Sequence, residues 1–289
     1  MGGAGDISIS SDERGDSIAK AAATQANGLY LLFARDKRPN QSALREFANN
    51  QAAVSIAHDP AGSNGLQLVA ADGMTISKSF FGDETLIDLS WLELLRDGLT
   101  FDLKGLAPSE PAAFPQIAHH FDFETTPGPA TYEALHLHPG LHLAGGERNE
   151  PVVRALLALA RDLVHNFDAL EAVVWPPAQS VIGRRFFESV STAWLDGGAF
   201  PALGLTAFKK TIDGALQSVG LDYWIGQELR IEAPLSNDPS GATRLGVRLI
   251  NQLIHIGGID LAESIIAPDG SRLLLSPSSN GNFIRVTRD

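Results

Sequence analysis

The chain has 289 residues, 44% of them hydrophobic, and a formal net charge of −12 at neutral pH. That length and apolar content suffice for one large core or two smaller ones, and an acidic balance without a Lys/Arg cluster argues against a phosphate-backbone partner. Cysteine is absent, which excludes disulfides, thiolate catalysis and Cys-ligated zinc or iron–sulfur centres.

Residues 1–27 are small, polar and acidic, without the basic and apolar regions of a secretory leader, and are expected to form a loosely attached tail. No run of about 18 or more apolar residues occurs, so no membrane-spanning segment and a cytoplasmic location are expected. Leu29–Ala34 (LYLLFA) predicts a buried strand, and Ser42–Asn50 a short helix with Ala43, Leu44 and Phe47 inward. Ala53–Ala57 predicts a second strand. Leu66–Ala70 and Met74–Ser79 flank Ala71-Asp72-Gly73, the strongest hairpin signal in the chain. Leu86–Arg96 (LIDLSWLELLR) predicts an amphipathic helix stopped by Gly98. Residues 104–131 carry five prolines and little periodicity, so they predict a connector and a boundary between halves.

Tyr132–Leu143 alternates and predicts an extended segment interrupted at Pro139-Gly140. The organising stretch is Glu150–Pro177. Val152, Leu156, Leu159, Leu163 and Phe167 fall on one helical face and Arg154, Arg161, Asp162 and His165 on the other, with Pro151 in the first turn. The apolar run Ala172–Trp175 follows as a strand ended by Pro176-Pro177, which suggests a central strand in a helix-covered sheet. Ser180 is read as the cap of a helix through Trp194, and Ala202–Thr211 as a strand. Gly220–Ile231 leads into a short strand at Leu229–Ile231. Asp238-Pro239 opens a helix with the stripe Leu245, Leu249, Leu253 and Ile256. Glu263–Ala267, Arg272–Leu275 and Phe283–Thr287 close the chain as a meander. The expected fold is α+β, with mostly antiparallel or mixed sheets covered by amphipathic helices. It is divided into a tail (1–27) and two loosely similar strand–helix–strand–hairpin halves, 28–125 and 126–289.

The run VVWPPAQSVIGRRFFES (Val173–Ser189), followed by GLDYWIGQELRIEAP (Gly220–Pro234), resembles the bacterial family known as domain of unknown function 4261. Shared features are a strand ending in an aromatic residue, a helix opening on paired apolar residues (Phe186-Phe187), and the pattern made by Gly220, Leu221, Glu228, Leu229 and Ile231. The resemblance covers roughly residues 130–289 and only faintly 29–96. The family's usual glycine after the strand aromatic is replaced here by Pro176-Pro177. Because the family is uncharacterised, the resemblance implies no activity and brings no functional residues with it.

Five of the eight histidines lie in one region: His119, His120, His136, His138 and His142. His136 and His138 share a face of an extended segment, a spacing at which two imidazoles can hold one metal. His142 would complete a three-nitrogen set, with Glu133 or Asp122 adding oxygen; the competing reading is neutral histidines in a half-buried strand. Asp162 and His165, with Arg161, form an acid–base pair or simply the wet face of a helix. Ser180 lacks the G-x-S-x-G context of a nucleophile, and Gly145-Gly146 lack the companions of a phosphate loop. Trp175, Tyr223 and Trp224 are candidates for a ligand or partner surface, alongside Trp194, Phe186 and Phe187.

No catalytic residue and no cofactor is assigned. The expected function is non-catalytic binding of a protein or small ligand, with an acidic surface suited to basic partners. The alternative is a metal-dependent hydrolase using His136, His138 and His142 on a divalent metal; a homo-oligomer is a third reading.

Overall fold

The computed structural model describes residues 28–60, 91–267 and 269–289. The expected tail, the hairpin around Ala71-Asp72-Gly73 and residues 86–90 lie outside the described residues. The described chain is α+β, built on an eight-stranded and a six-stranded mixed sheet.

The first sheet comprises β1 (Leu29–Ala34), β2 (Val54–His58), β3 (Trp91–Arg96), β4 (Leu99–Lys104), β5 (His119–Phe121), β6 (Tyr132–Pro139), β7 (Leu170–Trp175) and β8 (Ser180–Gly183). Its order is β2-β3-β4-β6-β1-β7-β8-β5, antiparallel except for β5 beside β8. It takes strands from both sides of residue 125. Helices α1 (Gln41–Asn50), α2 (Glu150–Asn166) and α3 (Arg184–Leu195) accompany it. Single turns follow at α4 (Ala202–Leu205) and, after β9 (Ala207–Lys210) and β10 (Leu216–Val219), at α5 (Asp222–Ile225). β11 (Glu228–Ile231), α6 (Pro239–Ile256), β12 (Glu263–Ile266), β13 (Arg272–Pro277) and β14 (Phe283–Arg288) complete the chain. The second sheet runs β12-β13-β14-β11-β10-β9, with β11 and β14 parallel.

The organising stretch folds as its periodicity predicts. Val152, Leu156, Leu159 and Leu163 of α2 are buried, and so are Val153, Leu157, Ala160 and Val164, because α2 packs against both the sheet and α3 beside it. Each such valine or leucine contributes about 1.5–3 kcal/mol by leaving water. β7 is the central strand expected, pairing with β1 on one side and β8 on the other. The opposite face of this sheet carries a second, smaller cluster. Tyr30, Leu32, Ala134, Ala172, Val174 and Val181 pack there against Ala112, Phe114, Ile117 and Phe123 of the proline-rich connector. That connector also contributes β5, which its lack of periodicity did not predict.

Three expectations are corrected. Trp91–Arg96 is a strand, not the end of a helix: Leu92, Leu94 and Arg96 are buried while their neighbours are half-exposed, a period of two. Asp97 and Gly98 both have positive φ (51° and 78°), and Arg96 stands opposite Leu99, so Asp-Gly is a two-residue hairpin turn rather than a helix stop. Ser180 begins β8 and caps nothing; its hydroxyl donates to the Gly204 carbonyl, and α3 starts at Arg184. Ala202–Thr211 is extended only from Ala207, because Leu203 and Gly204 break a helical turn that precedes the strand. The last three strands form the expected meander, and β14 joins it to β9 and β10 by pairing with β11.

Candidate functional site

The histidine region forms on the connector-covered face of the first sheet. Asp102 of β4 stands opposite His138 of β6, and Lys104 opposite His136, whose other neighbour is Tyr30 of β1. Strand alternation therefore places these side chains on one face. The rings of Tyr30 and His136 stack with centroids 4.4 Å apart, and those of His136 and His138 lie at 4.7 Å. Both histidines are buried, at 7% and 5% exposure. Gly28 closes one side: a Cβ there would meet the Leu137 carbonyl oxygen at 2.5 Å and His136 Nε2 at 2.8 Å.

His138 Nδ1 lies 3.0 Å from the Pro139 carbonyl, so the proton sits on Nδ1 and donates to it. Among the described residues Nε2 of each ring has no hydrogen-bond partner, and an Asp102 carboxylate oxygen lies 3.9 Å from His138 Nε2. Burial, then the neighbouring His138 and Lys104, pushes His136 down to about 3, and burial likewise lowers His138. Burial raises Asp102, against the attraction of His138. These are neutral rings in a half-polar layer.

His142 does not join them. It is exposed, with Thr100 Oγ1 at 3.3 Å from its ring nitrogens, while that hydroxyl donates to Glu93 at 2.7 Å. Glu133 is held by Arg38 at 2.8 Å. Among the described residues no three His, Asp or Glu side chains are arranged to hold a metal ion. Asp162 and His165 are likewise separated: Asp162 binds Arg96 and Arg161, and His165 pairs with Glu188 of α3 at 3.0 Å. The Gly145 amide donates to Glu147 at 2.8 Å within a local turn.

Trp175, Tyr223 and Trp224 do come together, but mostly inside. Trp175 meets Tyr223 edge-on at 5.2 Å and Trp224 at 5.8 Å, and Phe200 and Trp194 close on Trp224 at 4.8 and 6.0 Å. Trp175 is 1% and Tyr223 5% exposed; Trp224 is half-buried. Arg148 and Arg154 cap the outer faces of Tyr223 and Trp194. The cluster is the seam between the end of β7 and the second sheet. Gly220 completes it, at φ 86°, where a Cβ would lie 2.8 Å from the Pro177 backbone. Glu228 fixes the same loop by accepting from the Gly220 amide at 2.7 Å, the Leu221 amide at 3.3 Å and the Ser218 hydroxyl. Burial, with Asp222 nearby, raises its carboxyl to about 6.

An open groove lies elsewhere. A groove of about 560 Å³ runs between the first half of α6 and the turn joining β12 to β13. Leu235, Ala242, Leu245 and Leu273 form its apolar lining, and Arg244, Arg248 and Arg288 bring the positive charge. Asp238 caps α6 as expected, accepting from the Ser240 amide at 3.1 Å, and it lines the groove with Asp269. Of the predicted stripe on α6, Leu249 and Leu253 are buried, Leu245 faces the groove half-buried, and Ile256 is left exposed where Gly257 ends the helix. The sequence held one signal for this site, two arginines four apart beside an apolar stripe. Arg288 is brought in only by the pairing of β13 with β14.

No helix of the described residues is long and apolar enough to cross a membrane. No protein-family model, curated protein or solved structure matches the chain.

Proposed function

We propose that this is a cytoplasmic, non-catalytic binding protein that takes a small ligand in the groove between α6 and the β12–β13 turn. The observation that carries this reading is the groove itself: about 560 Å³, with an apolar lining and several convergent charged groups, within the size and chemistry usual for small-molecule sites. Membership of the domain of unknown function 4261 family belongs to the same proposal, supported by the clamp that ties Gly220 and Leu221 to Glu228. The test is a titration of ¹⁵N-labelled protein with pooled cytoplasmic small molecules, beside a Leu245→Trp variant that fills the groove. Amide shifts confined to residues 235–248 and 269–273, lost in the variant, are expected. Shifts that survive in the variant, or that fall elsewhere, would reject the groove as the site.

The metal-hydrolase alternative draws on the two bare Nε2 atoms of His136 and His138. Elemental analysis of chelator-free protein separates the two readings. About one equivalent of zinc, manganese or iron, lost on His136→Ala, would favour the hydrolase.

A further inference from the structure

We infer that the α6 groove selects a small polyanion, a compound carrying phosphate or several carboxylates. The inference rests on the binding reading above and adds the ligand's charge.

Elsewhere in this acidic chain Arg38, Arg45, Arg96, Arg184, Arg230 and Arg285 each form an ion pair, and the described arginines that form none outside the groove (Arg35, Arg148, Arg185 and Arg272) line no common cavity with one another. Arg244, Arg248 and Arg288 line one groove, and none of them forms an ion pair with a described residue. Arg244 and Arg248 are four apart on α6, a spacing at which like charges destabilise a helix. The arrangement therefore gains the helix nothing from charge pairing, and it concentrates positive potential around the groove.

The two carboxylates of the groove are already engaged. Asp238 accepts from the Ser240 amide, and Asp269 from the Ser271 hydroxyl at 2.6 Å and amide at 3.0 Å. Those bonds, with help from Arg288, hold the Asp269 carboxyl below its usual range. Three guanidinium groups thus face two anions, a local excess of positive charge in a protein of net charge −12. A low-dielectric lining strengthens their field on anything seated there. The planar guanidinium fork fits phosphate and carboxylate alike, so the geometry sets the charge of the ligand and leaves its source to the test.

The experiment is calorimetric titration of the full chain with pyrophosphate and with citrate, each against sodium chloride at matched ionic strength. It is run on the wild type, Arg244→Gln/Arg248→Gln and Arg288→Gln. All three arginines are exposed, so the variants should keep the wild-type circular dichroism spectrum. At least one polyanion should bind the wild type, with affinity falling tenfold or more in the double variant and several-fold in Arg288→Gln. Binding of pyrophosphate alone assigns a phosphate ligand, and of citrate alone a polycarboxylate. Binding unchanged in both variants overturns the inference, as does failure of both polyanions to exceed the chloride control. In that last case, neutral compounds that shift the groove amides leave the binding reading standing and remove only the charge; if none does, both readings fall.

Discussion

The connector-covered face of the first sheet and the α6 groove of the second each gather nitrogen-bearing side chains, in opposite physical states. His136 and His138 are buried, neutral and packed ring on ring, with Nε2 atoms that no described residue hydrogen-bonds. Arg244, Arg248 and Arg288 are exposed and charged around an open cavity, with no ion pair to a described residue. A residue type that can bind does so only where solvent and ligand can arrive. The difference also separates two readouts: changes on the histidine face or the aromatic seam should move stability and leave groove binding alone, and changes in the groove should do the reverse.

The largest expected effect is at the seam. Trp175→Ala removes a side chain that packs against both Tyr223 and Trp224, and should cost about 3–5 kcal/mol in urea denaturation. At a temperature where the variant remains folded, its affinity for a groove ligand should match the wild type. If that affinity collapses while the fold holds, the aromatic trio is a binding surface after all.

The histidine face should declare itself through pH. His136 is held near 3 when folded but titrates near its ordinary value of about 6.5 when unfolded, so the unfolded chain binds the extra proton between those limits. Its contribution to stability is present above about pH 6.5 and is lost as pH falls, at up to about 1.4 kcal/mol per pH unit. His136→Phe keeps a ring against Tyr30 and removes the titration. Its unfolding free energy should be flatter than the wild type's between pH 6.5 and 4. An equally steep wild-type curve would show that His136 is charged or solvated in the folded state, and that the contrast with the groove is misplaced.

What was legible in the sequence follows from what is local. The α2–β7 unit was readable because helical and strand periods change over cleanly at Asp168, and the start of α6 because Asp238-Pro239 is a self-contained capping signal. Trp91–Arg96 was misread because alternating Leu92 and Leu94, with Leu95 beside them, satisfy a helical stripe as readily as a strand; only Asp97-Gly98 marked the hairpin. The functional candidates were harder, since residue type carries no information on burial. Three histidines close in sequence became a buried pair and an exposed outlier because the chain turns into a 3-10 helix at Leu141–Leu143. The groove joins Arg248 to Arg288 across forty residues, and no spacing rule spans that distance.

The smallest effect makes the finest test of the contrast, because it should move the two readouts in opposite directions. Asp238 caps α6 and also lines the groove. Asp238→Ala frees the Ser240 amide and should cost about 1 kcal/mol of stability, as loss of an N-cap usually does. It also removes one of the two negative charges beside the arginines, so polyanion affinity should rise a few-fold at low salt. At an ionic strength near 1 M, where screening acts over about 3 Å, that gain should vanish while the stability loss remains. Asp238→Asn retains a capping oxygen without the charge, and should therefore keep the affinity gain with little loss of stability. If both variants instead weaken binding, Asp238 is itself a ligand contact and the groove prefers a molecule with a cationic or hydrogen-bond-donating end.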